Sequence, residues 1–356
     1  MTSTAKRASP IERENMLRLA ASGSPVASPV EAYFEVANRC NSKCATCPVT
    51  FSPQEAAAQL SLDDFRRLVA QLPDLQRAVL QGIGEPLLNR DLAPMIRHLK
   101  QRGVHVVFNT NALLLTRRRQ VDLIESGLDE LRVSLDGSTP ETYRRVRGVD
   151  AFERVVANVA EMVRTRRELQ AQTPRLSLWV TGLRDNLHEL PDVVDLAARV
   201  GVEEVYLQRM VFWGEGLAVE QQSIYRGPRQ ADALRAEVEA TLAEAEPRAA
   251  RGGVRLSGAD ACSPRASLLE NPPSAEPWRA CSRPLRLAYV TARGTALPCC
   301  IAPFTDAPYD SITLGNYLAD GVEAVWSGEP YRRFRDRLYS SEPPESCRGC
   351  GLAWSL

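Results

Sequence analysis

The sequence predicts an α/β fold in which six βα units build a parallel sheet and a small cysteine-rich unit follows. Short apolar, β-rich runs alternate with helix-period segments over the first two thirds of the chain, the pattern of βαβ crossovers. The alternation fades in a stretch rich in Ala, Gly, Pro and Ser, and six of the nine cysteines lie from Cys262 onward. Right-handed crossovers of this kind build either a doubly wound sheet or an incomplete (β/α) barrel.

The strand runs are 31–36 (EAYFEV), 77–81 (RAVLQ), 104–109 (VHVVFN), 130–135 (ELRVSL), 176–181 (LSLWVT) and 204–209 (EVYLQR). Helical periodicity covers 60–71, 91–102, 117–126, 152–170 and 190–200, and Gly103, Gly127 and Gly201 stand where such helices end. A further helical stretch at 230–246 precedes 247–277, which reads as a linker with little regular structure. The tail has an apolar run at 285–291 and helical patterns at 321–326 and 331–339. The expected division is an N-terminal extension (1–28), a barrel-like unit (29–246), the linker (247–277) and an α+β unit (278–356).

Composition narrows the chemistry. Across 356 residues, 44 basic and 44 acidic side chains cancel, so no bulk charge draws the chain to nucleic acid or an anionic membrane. Residues 1–30 lack the apolar block of a secretion signal, and no stretch reaches 18 uninterrupted apolar residues, so neither export nor a membrane span is expected. A cytoplasmic chain keeps its thiols reduced, which makes grouped cysteines metal ligands or catalysts rather than disulfides. With only three histidines against nine cysteines, sulfur is the expected carrier of the chemistry.

The first strand runs into Cys40-Asn-Ser-Lys-Cys44-Ala-Thr-Cys47, at the strand end where such folds keep their active sites. Three thiolates fill three corners of a cubane cluster and leave one iron open, whereas a structural zinc knuckle needs a remote fourth ligand. This C-x3-C-x2-C loop resembles the signature of the radical S-adenosylmethionine (radical SAM) enzymes, and with it the fold is expected to be a partial (β/α)6 TIM-like barrel. The resemblance implies that Cys40, Cys44 and Cys47 hold a 4Fe-4S cluster whose open iron is chelated by SAM. One electron from that cluster would cleave SAM to methionine and a 5′-deoxyadenosyl radical. The position before the third cysteine, commonly aromatic in the family, is Thr46.

Other segments resemble the family's cosubstrate contacts. Gly82-Ile83-Gly84-Glu85-Pro86 is similar to its Gly-Gly-Glu-Pro turn, with Ile83 in place of the first glycine, so Gly84 and Glu85 are expected to accept hydrogen bonds from the SAM ammonium. Asn109-Thr110-Asn111 and Ser134-Leu135-Asp136-Gly137 are similar to segments that line the SAM ribose and carboxylate, with Asn109 and Ser134 singled out. Arg154 is a candidate partner of the SAM carboxylate, beside its reading as a solvated helix residue.

In the tail, Cys281, Cys299, Cys347 and Cys350 supply four thiolates, enough to close a zinc ribbon or a second iron–sulfur cluster. The C-x12-G-x4-C spacing, Leu314-Gly315-Asn316, Trp326 and the final C-x2-C resemble the SPASM extension in its shortened "twitch" form, an α+β unit that holds one auxiliary 4Fe-4S cluster. The resemblance therefore implies SAM and two 4Fe-4S clusters as cofactors, and a reducing partner such as flavodoxin or ferredoxin. Cys262 and Cys300 remain, as buried small residues or as hydrogen donors of the kind radical SAM epimerases use.

The resemblance also implies hydrogen abstraction from an unactivated C–H. Peptide-modifying relatives often carry an added leader-binding domain, and only about thirty residues precede the first strand. The expectation is therefore oxidation of an alcohol on a small sugar- or aminocyclitol-like intermediate in antibiotic biosynthesis, with the auxiliary cluster taking the electron. Polar candidates for its binding are Gln208, Arg209 and Glu215. The alternatives are a radical epimerase using Cys262 or Cys300, a peptide maturase, and a non-catalytic iron–sulfur or zinc protein.

Overall fold

The computed structural model describes residues 26–211, 213–222, 224, 231–258, 263–269, 275–348 and 350. The six predicted strands are present as β1 (Glu31–Phe34), β2 (Arg77–Val79), β3 (His105–Thr110), β4 (Glu130–Ser134), β5 (Arg175–Gly182) and β6 (Glu204–Arg209). They lie side by side in chain order and all in parallel, as consecutive right-handed βα units require.

The covering helices are α1 (Leu62–Ala70), α2 (Leu92–Gln101), α3 (Arg117–Glu125), α4 (Pro140–Arg147), α5 (Phe152–Glu168) and α6 (Leu190–Val200). Each presents an apolar stripe at helical spacing, such as Phe65, Leu68 and Val69 on α1 or Leu92, Met95, Ile96 and Leu99 on α2. Those stripes meet the outward strand residues Ala32, Phe34, Val106, Phe108, Leu131 and Val133 in one continuous core. Helix ends follow their local chemistry. Ser61 caps α1 by accepting from the backbone N–H of Asp64, and Gly201 closes α6 at φ 83°.

Two expectations need correction. The stretch 247–277 is not a structureless linker: α7 (Ala231–Gly252) runs on through Pro247, and β7 (Arg255–Gly258) and α8 (Pro264–Leu269) follow within it. β7 pairs in parallel with β6, so the row of parallel strands extends past the sixth. The tail is also continuous with the sheet. Its β8 (Leu287–Val290), buried at all four positions, pairs in parallel with β1, and β9 (Ala296–Leu297) turns back antiparallel to it. The nine-stranded order is β7-β6-β5-β4-β3-β2-β1-β8-β9. Helices α9 (Val322–Trp326) and α10 (Glu329–Leu338) complete the tail close to where they are expected. Among the described residues no helix is long and apolar enough to cross a membrane.

Candidate active site

Along the strands every second residue turns inward, and on most strands that inner set is polar. Glu31 and Tyr33, Glu130 and Arg132, Ser177 and Trp179, and Glu204 and Tyr206 all line one cavity of about 1330 Å³. At the N-terminal ends of the strands, single carboxylates are shared between two cationic partners. Glu31 pairs with Arg77 and, at 3.7 Å, Arg286; Glu204 pairs with Arg255 at 2.5 Å and Arg175 at 3.7 Å. Higher up, Trp179 stacks on Tyr206 with ring centroids 3.9 Å apart. The interior is thus a polar-lined open space rather than the packed side-chain layers of a closed barrel.

At the opposite end of β1 the cysteine loop borders the cavity with Cys40, Cys44 and Cys47. Two N–H groups are aimed at Cys40 Sγ, and a hydroxyl oxygen lies beside Cys44 Sγ. The Ser42 N–H lies 3.4 Å and the Asn111 amide 3.6 Å from Cys40 Sγ, and Ser42 Oγ lies 3.5 Å from Cys44 Sγ. Ser42 Oγ also donates to the Arg147 carbonyl at 2.6 Å, and the Ala45 N–H to that of Val146 at 2.8 Å, so the end of α4 holds the loop. Burial pushes the Cys40 thiol up to about 11 and the Cys47 thiol up to about 12.

The turn after β2 packs directly on this loop. The Glu85 N–H donates to the Arg39 carbonyl at 2.8 Å. A Cβ on Gly84 would stand 2.1 Å from the Ala37 carbonyl oxygen and 2.6 Å from that of Arg39. Gly84 is therefore required where two backbones meet, in addition to any close approach of a ligand. Glu85 is buried, and it accepts from Thr110 Oγ1 at 2.7 Å and from the N–H groups of Leu87 at 3.0 Å and Asn111 at 2.8 Å. Its carboxylate thus binds the turn to the end of β3, while burial raises its pKa.

Arg147, at the end of α4, reaches the same region: it pairs with Asp136 at 3.2 Å and donates to the Ser134 carbonyl at 3.0 Å. Its Nε is buried and has no partner among the described residues.

The tail cysteines gather at the other end of the sheet. Cys281 precedes β8 and Cys299 follows β9, so the antiparallel turn brings both to the N-terminal end of β8, beside β1. Burial first, then the neighbouring Cys300, Cys281, Cys347 and Cys350, push the Cys299 thiol well up. Tyr339 Oη donates to the Cys281 carbonyl at 2.7 Å, anchoring the site to α10. Cys300 differs from Cys299 in lining the cavity, together with Tyr33.

Among the described residues no three His, Cys, Asp or Glu close round a single point as ligands of one metal ion. In a cubane each thiolate binds its own iron, so the sulfurs stand further apart than the ligands of one ion. Three cavity-facing thiols, one of them with two N–H donors aimed at it, suit that chemistry.

Comparison with known proteins agrees with this arrangement. The family model for the radical SAM superfamily matches residues 34–197, and that for SPASM, an iron-sulfur cluster-binding domain, matches 281–351. The chain belongs to the radical SAM superfamily. It is 27% identical over 327 residues to a PqqA peptide cyclase of Rhodopseudomonas palustris, a match spanning 90% of this chain and 79% of that protein. An AdoMet-dependent heme synthase of Oleidesulfovibrio alaskensis is 26% identical over 59% of this chain and 52% of its own length. In fold, the chain resembles Streptococcus suis SuiB bound to S-adenosylmethionine, with a TM-score of 0.68 at 15% identity over 97% of this chain and 75% of that one.

As a radical SAM enzyme with a SPASM domain, the protein uses SAM, a SAM-binding 4Fe-4S cluster and auxiliary iron–sulfur chemistry in the tail. Several residues expected at the site lie together on the cavity wall: the three loop cysteines, Gly84, Glu85, Asn109, Ser134, Gln208 and Arg209. Arg154 does not. α5 buries Phe152, Val155 and Val159, which turns Arg154 outward into solvent, and the buried cation near the cysteine loop is Arg147. Glu215 is likewise exposed and is not on the cavity wall. Cys262 lies outside the described residues. Arg147 escapes a reading by periodicity because α4 is short and rich in arginine, although the Arg147-Gly148 pair that ends it was a usable signal.

Proposed function

We propose that this radical SAM enzyme modifies a peptide, removing hydrogen from a C–H of a segment held in the barrel cavity. The observation that carries the reading is the length of the match to two PqqA peptide cyclases, 90% and 93% of this chain, whereas a third cyclase and the heme synthase match about half of each chain. The cavity of about 1330 Å³ holds the SAM site and the substrate space together, since Cys40, Cys44, Cys47 and Ser134 line it along with Trp179 and Tyr206. Oxidation of a sugar or aminocyclitol alcohol, with the auxiliary cluster as electron acceptor, is less well supported, because it rests on the short segment before β1 and on the compact tail.

In this reading Cys40, Cys44 and Cys47 hold the SAM-binding cluster, and Cys281, Cys299, Cys347 and Cys350 the auxiliary one. Bound there, SAM and its cluster supply a 5′-deoxyadenosyl radical, with an electron from a flavodoxin- or ferredoxin-like donor. The chain's own residues orient and shield. Gly84 and Glu85 offer acceptors to the SAM ammonium, Asn109 and Ser134 border its ribose, and Arg147 presents a fixed guanidinium to its carboxylate. Trp179 and Tyr206 give the substrate an aromatic wall, and the paired charges at the strand N-termini close the far end.

Arg147→Lys keeps the charge but loses the fork, so SAM half-saturation is expected to rise about tenfold, while Arg154→Ala leaves it unchanged. SAM titration of the reduced cluster's electron paramagnetic resonance (EPR) spectrum reads both, and equal effects would remove Arg147 from the site. The function itself is tested with anaerobically reconstituted enzyme, SAM, reductant and short peptides encoded beside its gene. The expected result is 5′-deoxyadenosine, which carries off one hydrogen atom, together with a peptide two hydrogens lighter, the second electron passing to the auxiliary cluster and the second hydrogen leaving as a proton. Unchanged peptides beside an oxidised polyol would reverse the assignment. Peptide of unchanged mass that gains deuterium in deuterated water would favour the epimerase, and Cys300 is the thiol on the cavity wall to replace first.

A further inference from the structure

Glu35 lies one residue beyond β1, between the turn after β2 and the tail, and the catalytic reading above leaves it without a role. Only 2% of it is exposed. Its Oε2 accepts from the Ile83 N–H at 2.9 Å and from Tyr289 Oη at 3.3 Å, and its Oε1 accepts from the Ala292 N–H at 3.2 Å. Its own N–H donates to the Val290 carbonyl at 2.8 Å.

These donors come from two separate places. Ile83 is the centre of the Gly82–Glu85 turn, whereas Tyr289 and Ala292 belong to the β8–β9 hairpin that leads into Cys299. The turn is shaped around the carboxylate: a Cβ on Gly82 would stand 2.1 Å from Glu35 Oε2 and 2.3 Å from its Cγ. A second carboxylate grips the same hairpin. Glu55 Oε1 accepts from Thr295 Oγ1 at 2.6 Å, Tyr309 Oη at 2.8 Å and Thr291 Oγ1 at 3.2 Å, and both glutamates border a cavity of about 20 Å³, the size of one water.

A buried carboxylate is costly unless bonded, and burial pushes Glu35 up to about 7 despite its three donors. An apolar side chain would fill the space, but only a two-oxygen acceptor can satisfy backbone N–H groups from both segments at once.

We infer that Glu35 is a positioning residue that ties the Gly82–Glu85 turn to the hairpin carrying Cys299, setting the SAM cradle and the auxiliary-cluster unit in one register. The inference rests on the reading of that turn as the SAM cradle.

It is tested on full-length enzyme with both clusters reconstituted, without substrate, by titrating SAM against the EPR spectrum of the reduced SAM-site cluster. Glu35→Gln keeps the size but turns an N–H₂ toward one backbone N–H. Half-saturation for SAM is expected to rise roughly tenfold, with iron content and thermal midpoint close to the parent and kcat for SAM cleavage within about threefold. Tyr289→Phe, which removes one donor and leaves the fold intact, is expected to raise it two- to threefold and serves if Glu35→Gln does not fold.

Unchanged SAM half-saturation in both variants with both clusters loaded overturns the inference, as does a loss of SAM binding that only follows loss of iron or early unfolding. Gly84→Val separates the two readings. If that variant binds SAM normally, the cradle reading falls and this inference with it; if it loses SAM while the Glu35 and Tyr289 variants do not, only this inference falls.

Discussion

Cys44→Ser is expected to abolish SAM cleavage while the chain stays folded. The side chain is buried on the cysteine loop 3.5 Å from Ser42 Oγ, so a hydroxyl of similar size finds a partner there. What it does not provide is a soft thiolate, and a cubane held at two corners is not retained. Iron is expected to fall from about eight per chain to about four, and 5′-deoxyadenosine formation by at least ~1,000-fold, with the auxiliary-cluster signal left in place. Iron assay and chromatography of the SAM products measure both. Cleavage above a few per cent of the parent rate would show that the cluster is held elsewhere.

Gly84→Val is expected to have the next largest effect, for a reason that resemblance alone does not supply. Its Cβ would lie 2.1 Å from the Ala37 carbonyl oxygen, and backbone cannot swing aside as a flexible side chain can. The turn must lift off the cysteine loop, breaking the Glu85-to-Arg39 bond and moving Glu85 away from Thr110 and Asn111. Overpacking of this kind costs about 3 kcal/mol. That corresponds to roughly 100-fold weaker SAM binding, accompanied by a thermal midpoint lowered by several degrees. SAM titration and a melting curve measure the two together, and unchanged values in both would mean that the turn stands clear of the loop.

Much of the site was legible because its chemistry lies in short local patterns. Cys40, Cys44 and Cys47 fall within eight residues, and the Gly84-Glu85 turn follows its strand directly. Arg154 carries two readings because the sequence does not say which way a charged residue near a helix start will face; the apolar stripe of Phe152, Val155 and Val159 decides for the solvated one. β7 was missed because it has four residues in an Ala- and Gly-rich stretch, where period two has little length to register. The inner wall could have been read further. The alternation of Glu130, Arg132 and Ser134 with Leu131 and Val133 announces a polar inner face.

The sequence by itself determined the six central strands and the division of the cysteines into a group of three on the first loop, a group of four in the tail and two outside both. These follow from local periodicity and from chemistry that neighbouring residues share. Only the tertiary structure decided that the tail enters the sheet beside β1, that Arg147 and not Arg154 reaches the cysteine loop, and that Glu35 joins the β2 turn to a hairpin more than 250 residues further along the chain. Each of these depends on strand pairing and burial between segments distant in sequence, where the energy lies in contacts that no local pattern records.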